Sequence, residues 1–213
     1  IVLLLDCDVA VTNLNVTVES IANKYDADLI IARDAQWKRM NVPINSGVII
    51  FKRSQWTVDL LDNMSASSPL RIKKYLSGSL KDQPVLTHLL VSQGQLNENP
   101  VSEFESHEHV QVVSQRVMNS FFRRGYAFFK TDHENSAWKT GDWLAHVTGS
   151  QPDERLKIMN ELGACGRTLR KNDIMPLQLS STWDKNYVDK PSIYKFAYDI
   201  INAFLGDSVP IFL

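Results

Sequence analysis

Two carboxylates two residues apart, Asp6 and Asp8, close the apolar run Ile1-Val2-Leu3-Leu4-Leu5. Such a pair can converge on one divalent cation or divide the work of nucleophile and acid. A short apolar run that stops on acids reads as a central parallel strand delivering them to its C-terminal edge. In open α/β sheets that edge is where ligands bind. Asp6 and Asp8, two residues apart, would then share one side of the strand. The alternative reading ends the strand at Asp6 and starts a turn at Asp8.

Three further groups carry chemistry. Asn45-Ser46-Gly47 reads as part of a turn, with Gly47 supplying positive φ. Asp82-Gln83 precedes Pro84, where Asp82 can act as a helix N-cap. His146-Val147-Thr148-Gly149 puts an imidazole at the end of a late apolar run. Each has a purely structural use by itself, and it is their order along the chain that groups them.

The elements that must position these residues alternate in type. Val18 to Tyr25 has a short helical pattern, and Ala27 to Ala32 is a strand that closes on Arg33-Asp34. The turn cluster Pro43 to Gly47 feeds a strand over Val48 to Phe51. Ser54 then offers an N-cap to a helix with Trp56, Leu60, Leu61 and Met64 on its apolar stripe. A short helix is expected over 69–75, and Asp82-Gln83-Pro84 opens another with Val85, Leu86, Leu89 and Leu90 as its buried face. Gln95 to Phe104 is polar and loop-like, His109 to Ser114 alternates as a strand, and Trp143 to Val147 is a strand. Helices follow from Pro152 and over 193–205. Strands alternating with helices predict a layered α/β fold with a mainly parallel sheet.

The chain has 213 residues, 44% of them hydrophobic and 22% charged, enough for one domain with a sizeable core. A net charge of −1 provides no basic footprint for nucleic acid. The two cysteines, Cys7 and Cys165, lie far apart, and Cys7 reads as a small buried hydrophobe within the strand pattern. Asn15-Val16-Thr17 and Asn63-Met64-Ser65 are weak pointers to a secretory lumen. No signal peptide or membrane-length apolar run is visible, and from a first residue already inside a strand pattern the chain is expected to be a fragment.

In order, Leu5-Asp6-Cys7-Asp8-Val9, Ile44-Asn45-Ser46-Gly47-Val48-Ile49-Ile50-Phe51, the helix Ser54 to Asp62, Asp82-Gln83 and His146-Val147-Thr148-Gly149 resemble glycosyltransferase family 34. This family of galactosyl-, mannosyl- and xylosyltransferases has the GT-A fold. The resemblance spans about residues 1–150 as a catalytic core, with 151–213 as a helical extension, and it implies that the N-terminal nucleotide-binding part of the domain is missing. It implies a retaining, metal-dependent transfer of a hexose or pentose from a UDP- or GDP-sugar to a glycan acceptor. Asp8 and His146 would bind Mn²⁺ or Mg²⁺, and Asp6 would bind it too or touch the ribose. Asn45, Ser46 and Gly47 would border donor and acceptor, Asp82 and Gln83 would lie along the donor sugar as the catalytic pair, and Gly149 and Gln151 would lie at the diphosphate. The resemblance also implies a Golgi lumen location, with membrane attachment only through an N-terminal anchor outside this chain.

Two positions depart from the family. Lys81 stands where a second acid is common, and Gln151 where a lysine usually meets the diphosphate. Losing that charge-assisted contact removes about 1.5–3 kcal/mol unless another base such as Arg155 replaces it. Glycosyltransferase family 8, which includes glycogenin- and galactinol synthase-like enzymes, shares the acids, Asn-x-Gly, Asp-Gln and the late histidine, but its Lys-Pro-Trp after the last glycine is missing. A binding protein descended from such an enzyme is a third reading. A HAD-type phosphatase also begins on Asp-x-Asp, but it wants Thr or Val where Ala10 stands and a second acid where His146 stands.

Overall fold

A computed structural model of the chain describes residues 1–35, 43–66, 83–122, 136–147 and 152–166. Lys81, Asp82, Thr148, Gly149, Gln151 and the helices expected over 69–75 and 193–205 lie outside the described residues. In chain order the elements are β1 (Val2–Leu5), β2 (Val9–Val11), α1 (Val18–Ala22), β3 (Leu29–Ala32), β4 (Asn45–Phe51), α2 (Gln55–Ala66), α3 (Gln83–Ser92), β5 (Glu105–Ser106), β6 (Val110–Val113), α4 (Gln115–Met118), β7 (Ser120–Phe121), β8 (Leu144–His146) and α5 (Pro152–Gly166).

Local chemistry sets several boundaries. Thr17 and Ser20 form a reciprocal capping box that starts α1. Ser54 Oγ accepts from Thr57 N–H at 3.1 Å and caps α2. The strands form two sheets, one in the order β1-β4-β3-β6-β5 and a smaller one in the order β2-β8-β7.

The expected mainly parallel sheet is corrected. Within the larger sheet β4 runs antiparallel to both β1 and β3, β5 runs antiparallel to β6, and β3 with β6 is the parallel pair. The misreading has a physical cause. All seven residues of β4 are buried, because the sheet is covered on both faces. Leu29, Ile31, Ile49 and Phe51 pack with Leu60, Leu61, Leu86 and Leu90 of α2 and α3. Ile30, Ala32, Val48 and Ile50 turn the other way, against Val9, Ala22, Met118 and Leu144. Double-sided burial produces a continuous apolar run whatever the strand direction. β1, expected at the centre, stands at the end of the described strand order.

The smaller sheet carries α5 on one side, where Ile158 and Leu162 pack against Ala10, Ala145 and Val147. β1 and β2 belong to different sheets, so residues 6–8 make the crossing between them.

Candidate metal and donor site

Asp6-Cys7-Asp8 is a turn, and the strand-periodicity argument for its two acids is corrected. The Val9 N–H closes the turn on the Asp6 carbonyl at 3.1 Å. Asp6 N–H donates to the Gly47 carbonyl at 2.8 Å, which extends the β1–β4 pairing by one bond. Val147 N–H donates to the Asp8 carbonyl at 2.8 Å, which extends β2–β8 in the same way. Each acid is therefore anchored to a different sheet. Cys7 between them is exposed, which corrects its reading as a buried hydrophobe; the turn points it outward.

The turn and the end of β8 bring three ligand types together. One oxygen each from Asp6 and Asp8 and one nitrogen from His146 lie within 4.8 Å of one another. His146 Nε2 is 3.1 Å from Asp8 Oδ1 and 3.8 Å from Asp6 Oδ2. Arg155, in the first turn of α5, places Nη1 3.2 Å from Asp8 Oδ2. Asp6 is exposed while Asp8 and His146 are buried, so the cluster has one open side. Burial opposes ionisation of Asp8, but the His146 hydrogen bond and charge, with Arg155, hold its carboxyl below the usual value. Two carboxylate oxygens and an imidazole nitrogen this close together form a donor set that could hold a divalent cation.

The second predicted group is placed differently from its reading. Asn45, Ser46 and Gly47 are the first residues of β4, and all three are buried within the strand. Gly47 is not among the described glycines with positive φ, which are Gly94 and Gly141. It serves close packing instead: a Cβ there would fall 2.8 Å from His146 Nδ1 and nearer still to Cε1. The absence of a side chain at Gly47 is the room in which the imidazole sits.

Asn45 faces inward. Its Nδ2 donates to Asp34 Oδ2 at 2.9 Å, and its Oδ1 accepts from Gly47 N–H at 3.0 Å and from Asn119 Nδ2 at 2.7 Å. Asn119 Oδ1 in turn lies 2.9 Å from His146 Nδ1. Gln83, the first residue of α3, accepts from Ser46 N–H through Oε1 at 3.1 Å. Its Nε2 is buried without a partner among the described residues. Asp82, Gly149 and Gln151 fall outside those residues.

Asp34 and Asn119 were not singled out as site residues from the sequence. Asp34 ends an apolar run, which offered a weak signal. Asn119 is an isolated amide between Met118 and Ser120, and no helical or strand spacing relates it to the other site residues.

The sequence matches the galactosyl transferase GMA12/MNN10 family over residues 2–157. A comparison with curated proteins produces no match. Among solved structures, a glycosyltransferase involved in the glycosylation of the major capsid of PBCV-1 is similar, with 19% identity and a TM-score of 0.43. The alignment covers 75% of this chain and 65% of that one, so the chain spans less than two thirds of its length.

Proposed function

The chain belongs to the galactosyl transferase GMA12/MNN10 family, and from that premise we propose that it is a divalent-metal-dependent, retaining glycosyltransferase. It moves a hexose or pentose from a UDP- or GDP-sugar to a glycan hydroxyl. The observation that carries this reading is the convergence of Asp6, Asp8 and His146 at the crossing of two sheets.

Bound there, a cation such as Mn²⁺ would neutralise charge on the diphosphate that leaves the sugar. The chain's own residues do the rest. Asp8 and His146 form the buried wall of the site and Asp6 its open rim. Arg155, already 3.2 Å from Asp8, supplies a second positive charge beside that wall. It takes the part that Gln151 cannot play, because a glutamine carries no charge. Gln83 is held by the Ser46 amide at one end and keeps a buried N–H donor at the other. That donor is assigned to a hydroxyl of the donor sugar, with Asp82 beside it in the chain. In the reaction the acceptor oxygen attacks C1 from the face that the diphosphate leaves, and the departing diphosphate oxygen takes the acceptor proton. The location proposed for such transfer is the Golgi lumen, as the resemblance of the sequence implies. No described helix is long and apolar enough to cross a membrane.

A panel of UDP- and GDP-sugars with Mn²⁺ and oligosaccharide acceptors tests the reading. Sugar transfer by the wild-type chain that disappears in Asp8→Ala supports it. Transfer that survives Asp8→Ala refutes the metal assignment. Phosphate release from a simple monoester without sugar transfer refutes the transferase itself.

A further inference from the structure

We propose that Asp34, Asn45 and Asn119 are positioning residues. They form a directional hydrogen-bond chain that keeps a proton on Nδ1 of His146, so that Nε2 is the nitrogen turned toward Asp6 and Asp8. The inference rests on the reading of Asp6, Asp8 and His146 as a metal centre, and it concerns residues that do not touch the metal.

The direction of the chain follows from groups that have no choice of role. A backbone N–H only donates, and a carboxylate only accepts. Asn45 lies between one of each, with Gly47 N–H 3.0 Å from Oδ1 and Asp34 Oδ2 2.9 Å from Nδ2. Both contacts demand the same amide orientation, and neither involves His146. With Oδ1 of Asn45 fixed as an acceptor, the facing atom of Asn119 at 2.7 Å must be its NH₂. The carbonyl oxygen of Asn119 is then the atom 2.9 Å from His146 Nδ1, so Nδ1 must carry the proton. With Nδ1 taken by that proton, Nε2 is the nitrogen that faces Asp8 at 3.1 Å; it donates to the carboxylate in the metal-free chain, and a bound cation would take the place of that hydrogen.

Burial makes the order costly to reverse. Asn119 is fully buried, and His146, Asn45 and Asp34 are at most 9% exposed. Turning the Asn119 amide over would set oxygen against oxygen at Asn45 and offer two donors to one another at His146. With little water to repair either contact, both would be left unmade. Phe121, edge-on to the imidazole at 5.6 Å, and the missing side chain at Gly47 confine the ring to the plane that this chain requires. The four residues come from the end of β3, β4, the α4–β7 junction and β8. The larger sheet thereby orients a ligand that belongs to the smaller one.

The test uses the full chain, labelled with ¹⁵N and free of metal, and reads His146 by long-range ¹H–¹⁵N correlation, assigned by comparison with His146→Gln. Mn²⁺ affinity is measured in parallel by calorimetry. The wild type should show Nδ1–H. Asn119→Asp, which keeps the acceptor, should preserve that proton. Asn119→Leu should yield a mixture, with Mn²⁺ affinity reduced by about 10- to 100-fold. Asp34→Ala should cost less affinity than Asn119→Leu, because Gly47 still orients Asn45. A wild-type His146 without a proton on Nδ1 overturns the proposal whether or not the variants fold. So does a folded Asn119→Leu with unchanged Mn²⁺ affinity. A wild type with Nδ1–H and no Mn²⁺ affinity upholds the hydrogen-bond chain and refutes the metal reading, so the two failures are distinct.

Discussion

Gly47 is needed for its small size and not for the positive φ expected of it. Small size is what the site needs there, because the imidazole of His146 fills the place of a Cβ. In Gly47→Ala the ring must shift. Overpacking of this kind costs about 1–3 kcal/mol, and the shift also withdraws Nε2 from the two acids. The expected result is a lower urea midpoint together with weakened Mn²⁺ binding, measured by denaturation and calorimetry. A variant with an unchanged midpoint and affinity would show that the close approach is not maintained in solution. Asp6 and Asp8 were legible as a pair from residue type alone. Their unequal exposure was not, because it comes from a turn whose two carbonyl and amide ends pair with different sheets.

β4 has to be held at its start if Asn45 and Gly47 are to meet His146. Neighbouring residues at the end of β3 divide that task. Asp34 accepts from the Asn45 amide. Arg33, almost wholly buried, donates through Nη1 to the Pro43 carbonyl at 2.7 Å and through Nε to Ser102 at 3.1 Å. Its remaining charge is met by Glu105 of β5. Glu105→Ala would take that carboxylate away from a buried guanidinium, at a cost of about 3–5 kcal/mol. Chemical denaturation should show the loss, and Glu105→Gln should recover part of it. A second junction depends on Asp142, before β8. Asp142 accepts from Arg116 of α4, from Ser120 Oγ of β7 at 2.9 Å and from Lys139 N–H at 2.9 Å. Asp142→Ala should destabilise by roughly 1.5–3 kcal/mol, toward the lower figure because Arg116 is about one-third exposed. Helices α2 and α3 were foreseen from spacing and caps, since those are local properties. The pairing partners of each strand were not.

For the molecule as a whole, these contacts set a dependence on pH. Burial works against ionisation of Glu105, but hydrogen bonds from His107, Arg33 and the Asn97 amide hold its carboxyl below the usual range. Burial likewise opposes the charge on Asp142, and Arg116, the Lys139 amide and Ser120 prevail. Both groups bind protons less readily folded than unfolded. Their stabilisation is therefore complete above the ordinary carboxylate value of about 4 and is lost as pH falls through the lower folded values. Urea midpoints should stay level for these groups from pH 7 to about 5 and then decline. In Asp142→Asn the acid decline should be shallower from a lower starting midpoint. An equally steep decline would remove Asp142 from the account.

Which residues could do chemistry, and which segments were apolar enough to become strands and helices, were legible before any fold was known. Those properties depend on residue type and on spacing of a few positions. Tertiary structure alone decided the rest. Antiparallel β4 between β1 and β3, the meeting of Asp8 with a histidine 138 positions later, and the path from Asp34 to His146 all depend on pairings between distant segments. A buried strand looks the same to its own residues whichever way its neighbours run. A lone asparagine such as Asn119 gains its role only when folding places a carbonyl-bearing amide on one side of it and an imidazole on the other.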